Sequence, residues 1–433
     1  MSSFRGSDVA SRRATPTVPG SASYRGLAPV RLDGGSARRI GFGPRQDRGP
    51  RGRFGRLLRR LLGPGSPLRK MDWVLLVAVL ALSLIGTLLV WSATDTAGVS
   101  GSDPFLIKQL LNVAIGLALL TGVSMLDYRQ LRLYSPIVLG ISCLGLLVVL
   151  TPFGTIVNGA KSWISLPGGF QIEPSEYAKL SIVLVTAMIL GEIGQRDTRP
   201  QPRALMRAIG LALVPLVLVV AEPDLGVVML MLAMLIGLVA LSGVKLRWLV
   251  GLLAVGVLGV TTVVKAHLLK AYQVSRLTAF LHPSADPRGT GYSAFQSKIA
   301  IGSGGLHGQG LFHGQLVAGG FVPEQHTDFI FAVAGEELGF IGEMLIIGLL
   351  AVVLFRAFRI AARADDQFGT LVAAGIGIWF AVQSFINIGM TIGIMPVTGL
   401  PLPFVSYGGS AIFADMIAIG CLQAVYRRRT VFS

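Results

Sequence analysis

Acidic side chains and cysteines are scarce in this chain of 433 residues: 22 Asp and Glu stand against 38 Lys and Arg, with two Cys. Both cysteines, Cys143 and Cys421, fall inside long apolar runs, which argues against a disulfide framework or a cysteine metal site. Charged residues of either sign make up 14% of the chain, well under the ~25% of a soluble domain. No Gly-x-x-x-x-Gly-Lys-Ser/Thr loop is present, which argues against ATP-driven transport by this chain alone. No His-Glu-x-x-His pair offers zinc a site, and the glycine run 305–310 lacks any dinucleotide-fold context. Nor does the sequence show a secretory signal peptide: the first apolar run begins near Trp73 and is long enough to read as a membrane anchor.

Apolar residues dominate instead, at 52% of the chain and a mean hydropathy of +0.67. About ten stretches have the length and composition of membrane helices: 73–91, 105–123, 133–150, 177–190 (short, with Lys179 near its start), 205–220, 226–241, 246–264, 329–355, 368–393 and 408–426. The expected fold is therefore an all-α polytopic membrane protein. Basic residues cluster in alternate connections and at both ends: Arg129 and Arg132, 196–207, Lys245 and Arg247, 356–363, and 427–429. By the positive-inside bias both termini are cytoplasmic, and the loops 92–104, 151–176, 221–225, 265–328 and 394–406 face the other side. The net charge of +16 thus reports orientation, and nucleic-acid binding is not indicated. Residues 1–70 hold sixteen of the basic residues and only Asp8, Asp33 and Asp47 as acids; they read as a disordered basic cytoplasmic tail. Its basic amphipathic patch, 54–62, suits either lipid headgroups or a plain juxtamembrane linker. A membrane domain spans 71–429, and 430–433 form a cytoplasmic C-terminus.

The loop 265–328 is far longer than an ordinary connection. It holds or borders all five histidines, His267, His282, His307, His313 and His326. Tyr292, Phe295 and Ile299 recur at helical spacing, so a short interfacial or re-entrant helix is expected, followed by turn-forming glycines. The loop ends in Pro323-Glu324-Gln325-His326-Thr327-Asp328 and runs straight into an apolar span. A carboxylate placed there is costly to desolvate, so Asp328 is a candidate general base, cation ligand or proton-relay group; the plain alternative is a helix N-cap. Glu324 precedes it, and Glu336, Glu337 and Glu343 follow. With Asp415 in the last span, Glu336 and Glu343, seven apart, suggest an interior polar seam. Lys161, Lys298, Arg276 and Arg288 lie on the same predicted side as Asp328 and would suit a diphosphate; interfacial snorkelling of the lysines is the alternative.

Three motifs carry a resemblance over the region from about Met71 to the C-terminus. They are 323–333 with Gly335-Glu336-Glu337-Leu338-Gly339, Gly399-Leu-Pro-Leu-Pro-Phe-Val-Ser-Tyr-Gly-Gly-Ser410, and Gly159-Ala-Lys-Ser-Trp163 with Glu173-Pro-Ser-Glu176. Together they resemble the signatures of the SEDS family (shape, elongation, division and sporulation). Gln296-Ser297-Lys298 and Asn387-Ile388-Gly389-Met390 resemble its elongation branch more than its division branch.

The resemblance implies a peptidoglycan glycosyltransferase of the cytoplasmic (inner) membrane. Such an enzyme polymerises lipid II on the outer face, with inversion at a sugar C1 and release of undecaprenyl pyrophosphate. It implies that Asp328 is essential, either as base for the acceptor GlcNAc 4-hydroxyl or as ligand of a divalent cation such as Mg or Mn. It points to Lys161, Trp163, Lys298, Gln296, Glu324 and His326 as substrate contacts. Its implied partners are a class B penicillin-binding protein with a transpeptidase domain and other proteins of the elongation complex. The rival classes are a lipid II flippase or secondary transporter, whose site would lie near the midplane, a division-type polymerase, and a non-catalytic scaffold.

Overall fold

The computed structural model describes residues 70–96, 102–157, 160–166, 170–191, 201–265, 273–274, 276, 280 and 290–432. The basic tail, the 54–62 patch, Gly159, Arg196, His267, His282 and Arg288 lie outside the described residues. All ten predicted spans are helices: α1 (Trp73–Thr96), α2 (Ser102–Met125), α3 (Tyr128–Leu150), α4 (Pro174–Gly191), α5 (Pro202–Ala221), α6 (Leu225–Leu241), α7 (Leu246–Lys265), α10 (Ile330–Ala362), α11 (Gln367–Ile392) and α12 (Gly409–Phe432). Within the long loop lie α8 (Thr290–Gly304), over the predicted short helix, and the single turn α9 (Gln315–Ala318). Among the described residues seven of the helices are long and apolar enough to cross a membrane. α6 and the first part of α7 are apolar but shorter, and α4 carries an ion pair.

The all-α polytopic expectation holds with one addition. The loop between α3 and α4 folds into a small antiparallel sheet, β1 (Gly154–Val157), β2 (Ala160–Leu166) and β3 (Phe170–Ile172), in the order β1-β2-β3. Gly154 pairs with Ile164, and Ile164 in turn with Ile172.

α4 is the buried centre of the bundle. It packs against α3, α5 and α11, and nearly all of its side chains are buried, including both charged ones. Glu176 and Lys179, one turn apart, form an ion pair at 2.6 Å. The Lys179 ammonium also donates to Gln383 Oε1 on α11 (3.0 Å) and lies 4.9 Å from the Trp379 ring centre. Lipid offers such charges no partner, so the pair turns inward and joins two helices.

The second organising feature is a break in α10. Gly339 adopts φ 68° and ψ −171°, which interrupts the helical hydrogen-bond ladder inside an apolar span. The loop after α8 supplies the missing partners. Gln309 and Gly310 N–H groups donate to the carbonyls of Glu336 and Glu337, both at 2.9 Å, and Phe340 and Ile341 N–H groups donate to Gly305 (2.9 Å) and Leu306 (3.2 Å). Irregular backbone at membrane depth is tolerated only where protein satisfies it in this way. The chains approach so closely that a Cβ on Gly339 would sit 2.2 Å from the Gly308 nitrogen.

Four stability outcomes follow. Gly339→Ala combines a left-handed φ with a backbone clash and should destabilise the protein by about 3 kcal/mol. Gly348→Ala, on the same helix with open space around it, should be neutral or slightly stabilising. Lys179→Met, which leaves Glu176 buried and unpaired, should cost about 3–5 kcal/mol, and adding Glu176→Gln should recover part of it. Thermal or denaturant unfolding of the purified variants in detergent measures all four.

Candidate functional site

Five connections meet at one end of the bundle and enclose a cleft of about 450 Å³. The first turns of α2 bring Phe105, Lys108 and Asn112; the sheet brings Ser162, Trp163 and Gln171; the turn between α5 and α6 brings Pro223 and Asp224. The long loop contributes Arg276, Glu324, His326, Thr327 and Asp328, and the segment between α11 and α12 contributes Thr398, Gly399 and Tyr407–Gly409.

The segment bearing Asp328 is fixed by its backbone. Glu324 holds a left-handed φ of 50°, which directs its carbonyl at the N–H groups of Thr327 (3.2 Å), Asp328 (3.1 Å) and Phe329 (3.2 Å). Asn387 Nδ2 on α11 donates to the Asp328 carbonyl at 2.9 Å, and to Leu400 O at 2.7 Å. Ser406 Oγ donates to Thr327 O (2.6 Å), and Tyr407 N–H to His326 O (2.9 Å). The His326 ring sits 5.6 Å from both Phe105 and Tyr407, forming an aromatic wall. Two connections distant in sequence are thereby locked side by side.

Asp328 Oδ2 and Arg276 Nη1 converge over Gly399, 3.4 and 4.0 Å from where a Cβ there would lie. Gly399 has φ 79° and brings backbone rather than a side chain to that spot. Arg276 Nη1 also donates to Thr398 O at 3.2 Å. Burial, then the neighbouring Glu324, pushes the Asp328 carboxyl up to about 7, against the opposing pull of Arg276. Asp224 caps α6 by accepting from Val227 N–H (3.1 Å) and is also raised by burial. Glu222, fully buried at the end of α5, is pushed up to about 8 by burial and by Asp224. Burial and the nearby Glu176 and Asp224 raise Glu173 well above the usual carboxylate range. Burial lowers His326, which favours a neutral imidazole at pH 7.

The candidate residues read from the sequence divide into two groups. Asp328, Glu324, His326 and Trp163 line the cleft. Lys161, Gln296 and Lys298 do not. The Lys161 ammonium turns under the end of α3, donating to Thr151 O (2.7 Å) and Leu150 O (3.3 Å). Lys298 is exposed on α8, packed over the Gly393 turn that ends α11.

Glu336, Glu343 and Asp415 are all buried, as an interior seam requires, but Gly339 breaks α10 between the first two, so regular helical spacing does not join them. Glu336 accepts from the N–H groups of Leu316 (2.7 Å) and Val317 (3.0 Å), capping α9, while buried Glu343 folds back beside Gly335. Asp415 accepts from Phe404 N–H (3.3 Å) on another wall, near the Glu176–Lys179 pair. Lys108, Asn112 and Asp224 were not singled out from sequence; two acids flanking Pro223 in a short turn between apolar spans were the available signal for Asp224.

The sequence family described as cell cycle protein, FtsW/RodA/SpoVE, matches residues 72–431. The peptidoglycan glycosyltransferase MrdB of Escherichia coli K12 is 38% identical over 368 residues, covering 84% of this chain and 95% of that protein. Stage V sporulation protein E of Bacillus subtilis is 38% identical over 361 residues, covering 82% of this chain and 97% of that protein. A solved peptidoglycan synthase complex contains a chain that superposes with a TM-score of 0.67 at 31% identity, covering 83% of this chain and 98% of its own. The crystal structure of the rod shape determining protein RodA of Thermus thermophilus superposes at 0.60 with 28% identity, covering 83% and 97%. A match over nearly the whole membrane region, in sequence and in fold, places the chain in the FtsW/RodA/SpoVE family: it is a SEDS glycosyltransferase of peptidoglycan synthesis.

Proposed function

We propose that the chain polymerises lipid II into glycan strands of the elongation type, with residues 71–429 as the catalytic unit and Asp328 as general base. The observation that carries this reading is the convergence of the Asp328 carboxylate and the Arg276 guanidinium over Gly399, inside a cleft fed by five loops. Asp328 accepts the proton of the acceptor GlcNAc 4-hydroxyl. The freed oxygen forms a bond to MurNAc C1 of the donor strand as the C1–O bond to phosphate breaks. Configuration at C1 inverts, and the electron pair leaves with undecaprenyl pyrophosphate. A carboxyl titrating near 7 is matched to that task, and a positioned base contributes roughly 10²–10⁴-fold. Arg276 and Lys108 line the same cleft and supply positive charge for the diphosphate. Trp163, His326 and Tyr407 offer ring faces to the sugars.

Among the described residues no three His, Cys, Asp or Glu side chains converge at metal-ligating distance, so a divalent cation in the cleft would rest on Asp328 and the substrate's own diphosphate oxygens. The arginine-rich connections on the opposite end support cytoplasmic termini and an extracytoplasmic cleft. Likeness to a chain of a peptidoglycan synthase complex supports a class B penicillin-binding protein as partner.

Polymerisation of purified lipid II by the reconstituted protein and its partner tests the reading. Wild type should give long strands, and well-folded Asp328→Asn should lose at least about 100-fold. Equal product from both would remove Asp328 from the chemistry; no product from either, with lipid II crossing the bilayer, would favour the flippase. The pH profile gives a second check. Rate should rise through about pH 7 as Asp328 deprotonates. Arg276→Ala removes a cation that lowers the Asp328 pKa and should move this limb to higher pH; Glu324→Gln removes an anion that raises it and should move the limb lower.

A further inference from the structure

A second cavity, of about 400 Å³, lies at the end of the bundle opposite the cleft, where the turn between α2 and α3 meets the last turns of α12. Three lining side chains are arginines, Arg129, Arg427 and Arg428; Asp127 is the one acid among them, and Met125 and Ala424 add apolar surface. Three cations less one carboxylate leave a formal +2. The acid is already engaged, since Asp127 caps α3, accepting from the Arg129 backbone N–H at 3.3 Å in a capping box with Gln130.

Arg428 is held in place without being saturated. Its guanidinium lies 4.3 Å from the Tyr128 ring centre, and Nη1 reaches Asp366 Oδ2 at 3.4 Å. The other Asp366 oxygen accepts from the Tyr128 hydroxyl and from Gly369 N–H. The guanidinium of Arg129 is exposed and makes no hydrogen bond or ion pair among the described residues. An arginine fork matches two oxygens of a phosphate, and the cavity has the size of a small-ligand site.

The surroundings select the kind of phosphate. α2 and α3 are the least buried of the spanning helices, with 22% of each apolar window covered by protein, so hydrocarbon runs along them. Arg129, Leu133, Ile137 and Ile141 recur every four residues and share one face of α3. All three apolar members are strongly exposed, at 69%, 55% and 66%. A cationic pocket therefore opens onto an apolar stripe that runs into the bilayer.

We propose that this cavity binds the phosphate head of an anionic glycerophospholipid, whose acyl chains lie along Leu133, Ile137 and Ile141. The site is separate from the cleft and does not depend on the reaction assigned there. Bound lipid joins the turn between α2 and α3 to the end of α12.

The test is thermal unfolding of the full-length protein in a neutral detergent, titrated with phosphatidylglycerol, phosphatidylcholine or inorganic phosphate. Phosphatidylglycerol should raise the Tm saturably, and phosphatidylcholine should not. At about fivefold per arginine, Arg129→Gln should shift the midpoint about fivefold and Arg129→Gln/Arg427→Gln about 25-fold. Arg203→Gln/Arg207→Gln, exposed at the same end on α5, should leave it unchanged. Equal responses to the two lipids, or an unmoved midpoint in Arg129→Gln, overturns the site. Saturation by inorganic phosphate at the same or lower concentration assigns a free anion and overturns the lipid. If the double variant does not fold, Arg129→Gln alone decides.

Discussion

Backbone that leaves regular geometry inside a membrane must find its hydrogen-bond partners in protein, and this requirement shapes the whole cleft end of the molecule. The break at Gly339 frees donors and acceptors that no lipid can satisfy. Four hydrogen bonds from the loop after α8 satisfy them, and in doing so dock the long loop against α10. The same rule operates at 326–328, whose carbonyls are taken by Tyr407 N–H, Ser406 Oγ and Asn387 Nδ2. Each bond is ordinary in strength, yet together they leave the Asp328 segment few alternative positions. The position of Asp328 is a by-product of backbone satisfaction.

Electrostatics follow from that architecture. The loops bring Glu173, Glu222, Asp224, Glu324 and Asp328 to one region, with Arg276 and Lys108 as the cations lining the cleft. Burial and repulsion between neighbours both act against the charged forms, so Glu173, Glu222, Asp224 and Asp328 sit above the ordinary range rather than below it. Farther into the bundle the same problem has a different solution. Glu176 is paired with Lys179, and Gln383 links that pair to the cleft wall by donating to Pro401 O at 2.8 Å. At Glu176 the partner is a lysine one turn away on the same helix, whereas at Asp328 burial outweighs the pull of Arg276.

How legible this was from sequence depends on what each signal reports. Apolar run length reports helices directly, so every predicted span has its helix. Asp328 stood out because desolvating a carboxylate at a span boundary is expensive whatever the fold. Lys161 and Lys298 could not be read that way, because only tertiary geometry tells where a long side chain ends. Lys161 sits on a strand of a sheet whose short, glycine-interrupted segments give little periodic signal, and the fold turns its ammonium under α3. The seam inferred from Glu336 and Glu343 assumed an unbroken helix, and Gly339 removes that assumption. Asp224 was hidden because a carboxylate after Pro223 reads as a cap; it is one, and it also lines the cleft.

The acid-rich character of the cleft looks at first unsuited to a diphosphate substrate. Counting formal charges, the carboxylates outnumber Arg276 and Lys108. The count misleads because desolvation changes the protonation states. A carboxyl pushed up to about 8, as at Glu222, is mostly neutral at pH 7, and Asp328 at about 7 is divided between its two forms. Glu173 and Asp224 are shifted in the same direction. On the proposed reading, a diphosphate entering beside Arg276 would raise these carboxyls further, Asp328 with them, so its ionised form would be a stronger base but a smaller share of the population at pH 7. Departure of the diphosphate reverses that shift and favours loss of the proton to solvent. The burial that makes the acids costly to hold thus also eases the entry of an anion into the cleft.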